Sequence, residues 1–266
     1  MPRPLLFCPH GALPMLVEIG STKCDIRVKA VMSMPRLSFT ANHMVWWKAL
    51  LPLNIEPTIV QGAFWSQCLS RAFEQVIDEC EYILAIDYDS FMLREDIEQL
   101  LATAFALQCE ALAPLQTKRD DGRPMITPLG FFKGAGTEEK AKSAELPADW
   151  FSAPVQEVDA AHFGCTILST AALKRMRKPW FWSRPSERDD WNDGRTDDDM
   201  WFWQQWRESG LRCFVTPRVC IGHGEYNITW PGADLATPVI QSTRDFTQGG
   251  KKPDGIWRIG NKEDAA

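Results

Sequence analysis

The stretch Tyr82-Ile-Leu-Ala-Ile-Asp-Tyr-Asp-Ser90 decides how the whole chain reads. Residues 82–86 are continuously apolar and then stop at acids. A run this short, without polar alternation, fits a parallel strand buried on both faces. Asp87 and Asp89 stand one residue apart, so in an extended segment both side chains project to the same side. Two carboxylates at a strand end can share a hard divalent cation, Mn²⁺ or Mg²⁺, which in turn takes phosphate oxygens. A pair of solvated turn acids has the same three letters. The strand before the motif and the helix after it favour the metal reading.

Working outward, strand and helix alternate. Residues 26–32 read as a first strand, and Ser33-Met-Pro-Arg36 as a turn before a helix over 39–50. A short strand over 58–61 follows. Trp65, Cys68, Leu69, Ala72, Phe73, Val76 and Ile77 then recur at helical spacing, which marks an amphipathic helix. Beyond the motif, Ile97, Leu100, Leu101, Ala104 and Phe105 give the inner stripe of a helix over 94–109, and 110–114 resume a strand. This order belongs to an open α/β sheet, whose ligands bind beyond the carboxyl ends of the strands. Asp87 and Asp89 fall there.

The second half is less regular. Residues 120–146 read as hairpin and loop, 162–169 as a strand with a short helix from Thr170, and the polar stretch 184–196 as a mobile loop. A helix over 197–209 stops at Gly210, and a strand over 211–216 is halted by Pro217. The Gly- and Pro-containing tail from Trp230 reads as an extended arm.

Composition narrows the function classes. The chain has 266 residues, 45% of them hydrophobic and 24% charged, as in ordinary globular proteins. No apolar run approaches the roughly 20 residues of a membrane span. The first 16 residues carry one Arg and an apolar patch broken by Pro4, Pro9 and Pro14, a poor signal peptide, so a cytoplasmic protein is expected. None of the eight cysteines forms a Cys-x-x-Cys pair, so buried thiols are expected rather than a zinc site. A net charge of −6 argues against a surface that coats nucleic acid.

Two further groups of residues bear chemistry. Asp197-Asp198-Asp199 opens a helix, where acids suit the dipole and cap amides. Three in a row exceed what capping needs, and their repulsion calls for a cation, a sugar hydroxyl or a proton to be abstracted. His223 lies in Ile221-Gly-His-Gly224, between glycines that let a backbone come close. A lone His is more often structural, yet imidazole is a common metal ligand. Arg71 lies with Gln67 and Glu74 on the polar face of its helix, ordinarily a solvated position.

In this order the blocks resemble the GT-A nucleotide-sugar glycosyltransferases. Residues 82–90 look like the strand carrying that family's Asp-x-Asp, and 65–74 like the preceding helix, whose Arg, here Arg71, contacts the nucleotide. Phe163-Gly164-Cys-Thr-Ile-Leu168 and Pro179-Trp180-Phe181 resemble its block beside the donor sugar. Asp198-Asp199-Met-Trp-Phe202, Gly210 and Ile221-Gly-His223 resemble its acid-led helix and closing His, with Asp-Asp standing where the family has Glu-Asp.

The resemblance implies an α/β fold of GT-A type, a Rossmann-like mixed central sheet flanked by helices, with an irregular C-terminal extension. It divides the chain into an N-terminal extension (1–25), a catalytic domain (26–229, its nucleotide-binding half 26–115 and acceptor half 116–229) and a tail (230–266). It implies transfer of a sugar from a nucleotide-sugar, a UDP-sugar by preference. Mn²⁺ or Mg²⁺ would be held by Asp87, Asp89 and His223, and the donor contacted by Arg71, Asp87, Gly164 and Trp180. Asp89 is expected to coordinate directly, with Asp87 nearer the ribose or a metal-bound water. Asp199, or Asp198, is the expected base if the reaction inverts, and both position the sugar if it retains.

Two other readings of the same residues are a sugar-phosphate nucleotidyltransferase and a non-catalytic sugar-binding protein. The first lacks its Gly-rich loop at Ser33-Met-Pro-Arg36. The acceptor stays open: a glycan, a small molecule or, as a minority reading, a hydroxymethylated DNA base. The basic run Lys174-Arg-Met-Arg-Lys178 and the tryptophans at 180, 182, 191 and 201 motivate the last.

Overall fold

The computed structural model describes residues 15–19, 22–35, 38–118, 123–132, 146, 148–192, 194–249 and 251–257, with side chains from residue 26 onward. The proline-broken start, Arg36, most of the expected loop over 120–146 and the last nine residues lie outside this set. The chain forms two compact units, Met1–His223 and Gly224–Ala266.

In the first unit, strands β1 (Met15–Ile19) and β2 (Thr22–Ile26) form an antiparallel pair. Strand β3 (Val28–Met34) opens the main sheet, followed by helix α1 (Thr40–Leu50), β4 (Pro57–Gln61), α2 (Trp65–Val76) and β5 (Tyr82–Asp87). After the short β6 (Ser90–Phe91) come α3 (Arg94–Ala106), β7 (Ala111–Leu115), β8 (Ile126–Pro128), β9 (Gln156–Ala161) and β10 (Cys165–Ser169). Helix α4 (Thr170–Leu173), α5 (Asp198–Glu208), β11 (Cys213–Cys220) and β12 (Gly222–His223) complete the unit. The second unit pairs β13 (Asn227–Trp230) with β14 (Val239–Ser242) and ends in α6 (Thr243–Gly249), so the expected extended arm is a hairpin and a helix.

The main sheet has eight strands in the order β4-β3-β5-β10-β7-β11-β9-β8. Strands β3, β4 and β5 run parallel, as do β7 and β11; β10 runs antiparallel between β5 and β7. It is a mixed central sheet flanked by helices, the architecture expected from the alternating pattern. The decisive strand is buried on both faces, with Ile83, Leu84, Ala85 and Ile86 at most 1% exposed. Its residues divide by alternation. Ile83 and Ala85 join a core with α2 and α5, whereas Leu84 and Ile86 join one with α1 and α3.

Helix α5 sits on the sheet through Phe202, Trp203 and Trp206, all fully buried, and through ion pairs of Arg207 with Asp159 (3.0 Å) and Glu157 (2.7 Å) on β9. This fixes the height at which its first residues, Asp198 and Asp199, meet the sheet edge. Pro217 does not halt β11. The strand continues to Cys220 through a register shift between Thr216 and Cys220, where the ladder needs no donor from proline. Gly210, at φ +71°, ends α5 as expected. The six cysteines whose side chains are described are free thiols, five of them buried. Burial raises the Cys80 and Cys109 thiols to about 11 and Cys165 and Cys213 further. Among the described residues no helix is long and apolar enough to cross a membrane.

Candidate functional site

Strand β5 ends at Asp87, and the chain turns immediately into β6. There Ser90 pairs with His223 and Phe91 with Gly222 of β12, so the residue after Asp89 is laddered to the strand that carries the histidine. The result is a meeting of remote segments: His223 Nε2 lies 3.5 Å from Oδ2 of the buried Asp89. His223 Nδ1 is 3.0 Å from the Thr117 carbonyl. A carbonyl only accepts, so Nδ1 carries the proton there and the Nε2 edge is the one turned toward Asp89.

Asp87 is held differently. Trp65, at the start of α2, donates its indole N–H to Asp87 Oδ1 at 2.7 Å, and the Asp87 amide donates to the Gly164 carbonyl at 3.2 Å. Burial raises the Asp87 carboxyl to about 6, against the lowering hydrogen bond from Trp65 and with further raising by the charges of Asp89 and Asp199.

Behind these acids lies a buried polar network. Asn42 of α1 donates to the Ser90 carbonyl. The Gln116 amide donates to both Ser90 Oγ and the Gly222 carbonyl, each at 3.2 Å, and so ties the segment after Asp89 to the segment before His223. His162 accepts from the Gly164 amide through Nδ1 and donates from Nε2 to the Pro114 carbonyl, both at 2.9 Å. Burial lowers its imidazole to about 4, so the ring is neutral. Gly164 is required by space: a Cβ there would lie 2.4 Å from Gln116 Oε1 and 2.8 Å from both His162 Nδ1 and Ser90 Oγ. Its place in the site is as backbone, packed between these groups.

The opposite side is built from the loop before α5. Arg184 and Thr196 pair in a two-way bridge (2.9 and 3.0 Å), and Ser186 closes a turn onto Asp190. The stretch expected to be mobile is thus pinned at both ends. Asp197 is paired with Arg195 at 2.8 Å, while Asp199 Oδ1 takes the Met200 amide at 2.8 Å, so one of the three acids satisfies a first-turn amide as expected. Burial raises the Asp199 carboxyl, which the charges of Asp197 and Asp198 reinforce.

Both sides face one pocket of about 550 Å³, which gathers Asp87, Asp89, His223, Asp198 and Asp199 with Trp65, Tyr88, Met125, His162, Phe163, Ser183, Trp191 and Asp197. Arg71 and Trp180 are not on its lining. Arg71 is exposed on the outer face of α2, and Trp180 is buried with its ring edge-on to Phe73 (5.9 Å) under Lys178. Of the four tryptophans singled out near the acceptor side, Trp191 alone lines this pocket; Trp201 lies under the Arg184 guanidinium at 4.4 Å. In the basic run, Lys174 pairs with Asp78 (2.7 Å), Arg175 with Glu110 (3.2 Å) and Lys178 with Glu74 (2.6 Å).

Sequence reasoning placed Trp65 only in an apolar stripe and did not single out Gln116 or His162. Trp65 both packs edge-on against Phe163 and Phe181 and donates to Asp87. Its polar handle at a helix start was the available signal.

Among the described residues no group of three or more His, Cys, Asp or Glu side chains is assembled as a metal cage. The donor set nevertheless suits a hard cation that keeps several waters and substrate phosphates. A carboxylate, Asp89, faces an imidazole across 3.5 Å, and its charge adds to the burial that raises the proton affinity of Asp87.

No protein-family model and no curated protein matches the chain. Among solved structures it is similar to A197 from STIV (11% identity, TM-score 0.49), with 76% of this chain covering 96% of that one. It is similar to GalNAc-T7 with UDP, GalNAc and Mn²⁺ (8%, TM-score 0.43), where 74% of this chain covers 44% of the other. It is also similar to S. aureus TarS 1–349 in complex with UDP-GlcNAc (12%, TM-score 0.44), where 76% covers 59%. At these scores the reading of the site rests on its own residues.

Proposed function

We propose that this pocket is the active site of a metal-dependent glycosyltransferase of GT-A type, which moves a sugar from a nucleotide-sugar donor, a UDP-sugar by preference, to an acceptor hydroxyl. The observation that carries the reading is the convergence of Asp89 and His223 at 3.5 Å in the same pocket as Asp87, Asp198 and Asp199. Asp89 and His223 would hold Mn²⁺ or Mg²⁺, with Asp87 nearer the ribose or a water of the cation. Such a cation would supply Lewis-acid stabilisation of the charge on the departing nucleoside diphosphate.

The chain's own residues do the rest. Asp199 has its proton affinity raised by burial and by its acidic neighbours, which suits a base that takes the acceptor proton in an inverting reaction. In a retaining reaction Asp198 and Asp199 instead orient the sugar hydroxyls. Gly164 lets the donor-side backbone pack against Gln116 and His162.

The test is nucleoside diphosphate release from a panel of UDP-sugars with Mn²⁺, comparing the protein with Asp89→Ala. Loss of this charge-holding group is expected to lower turnover by roughly 10²–10³-fold. Undiminished release in Asp89→Ala sinks the metal assignment. Release of pyrophosphate instead identifies a sugar-phosphate nucleotidyltransferase. Sugar binding without any turnover identifies a non-catalytic sugar-binding protein.

A further inference from the structure

We infer that the acceptor is an uncharged carbohydrate whose ring lies on the Trp191 indole, and not a nucleic acid or other polyanion; this rests on the glycosyltransferase reading of the same pocket. The first observation is the charge of the lining. Among the described residues that line it, five are aspartates and none is Lys or Arg. A diphosphate brought in with a divalent cation leaves that balance acidic, so an acceptor bearing its own phosphates meets like charge at every approach.

Several of the described cations on this side already have partners of their own. Arg195 is forked onto Asp197, the Arg184 guanidinium covers the Trp201 ring, and Lys174, Arg175 and Lys178 are paired with acids. Protein sites that track nucleic acid present such groups to the phosphates instead.

The second observation is Trp191 itself. A single exposed apolar residue is ordinary on a protein surface. Trp191 differs because it is 59% exposed while lining the pocket that holds the carboxylates. Its backbone is also braced: Arg195 donates to the Trp191 carbonyl at 3.3 Å and the Asn192 amide to Asp190 at 3.1 Å. A flat indole on a fixed loop offers its face to the C–H side of a sugar ring. The hydroxyls around that ring are donors, and Asp197, Asp198 and the Ser183 hydroxyl on the same lining accept from them. An acceptor hydroxyl held this way stands beside Asp199, the proposed base.

Saturation-transfer NMR on the full chain with Mn²⁺ tests this. The probes are UDP, a panel of methyl glycosides (glucoside, galactoside, mannoside, xyloside and N-acetylglucosaminide), and a single-stranded oligonucleotide carrying hydroxymethylcytosine. At least one glycoside is expected to receive saturation at its ring C–H protons. Trp191→Ala is expected to weaken that glycoside about tenfold, Trp191→Phe to keep most of the affinity, and UDP affinity to stay the same in both. UDP binding with every glycoside silent overturns the acceptor assignment alone. So does oligonucleotide binding that Trp191→Ala leaves unchanged. Glycoside binding at Trp191 with UDP silent overturns the donor reading and leaves a sugar site. Silence from all probes overturns both.

Discussion

The two sides of the pocket are built on opposite principles. On the Asp89 side, Asn42, Ser90, Gln116 and His162 are all buried and bonded to one another or to backbone, and Gly164 has no room for a methyl group. On the Trp191 side, Arg195 and Asp197 are about half exposed and held by surface ion pairs and turns. Buried networks fix geometry because an unpaired member costs far more than an exposed one. The buried side therefore holds the segments that carry Asp89 and His223 in one arrangement. The solvent side is held by exposed pairs, each of which contributes little by itself.

Three experiments probe this contrast. The largest effect is expected for Gly164→Ala, because the new methyl must displace Gln116, His162 or Ser90. Overpacking of this kind costs roughly 1–3 kcal/mol. The disturbed support of Asp89 and His223 is expected to weaken Mn²⁺ binding by about 10- to 100-fold. Urea unfolding and Mn²⁺ titration by electron paramagnetic resonance read the two losses, and a variant with wild-type values in both would break the picture of a tight wall.

A loss of stability alone, confined to acid pH, comes next. The folded His162 imidazole is lowered to about 4 from an ordinary 6.5. Above 6.5 the ring is neutral in folded and unfolded chains alike. Between 6.5 and about 4 the unfolded chain takes up the proton and the folded one does not, so stability falls with pH through that window. The full loss is roughly 3 kcal/mol at its acid end. Urea midpoints followed from neutral to acid pH are expected to fall less steeply in His162→Gln. Equal slopes in the two proteins would remove His162 from the buried side's account.

The smallest effect belongs to the solvent side. Arg195→Ala removes an exposed pair with Asp197 and is expected to cost less than about 1 kcal/mol of stability. A drop in the melting midpoint as large as that of Gly164→Ala would mean that both sides are equally rigid.

Much of this was legible in the sequence, for reasons particular to each element. The strand over 82–87 announced itself because burial on both faces leaves no polar position, and the amphipathic α2 because one face meets the sheet. The acids and His223 came from separate blocks, and the fold brought them to one pocket. Side-chain direction was not legible. Arg71 and Trp180 are not among the residues that line the pocket, since a motif match fixes a residue's segment and not its rotamer. Gln116 and His162 went unnoticed because a neutral buried network leaves no periodic or charged trace. Pro217 misled because proline breaks a regular ladder but is tolerated at an irregular one.

The antiparallel strand β10 has a consequence for how the protein comes into being. Strands β5 and β7 are not neighbours; they leave a slot that β10 fills, and His162 and Phe163 line the pocket just ahead of it. During synthesis the slot stays open until the chain has been made through Ser169, and the histidine at 223 arrives later still. The acids at 87 and 89 are thus translated early but brought to His223 late. A nascent chain carries the motif long before it carries the pocket, and the slow, long-range pairings of its sheet time the pocket's completion.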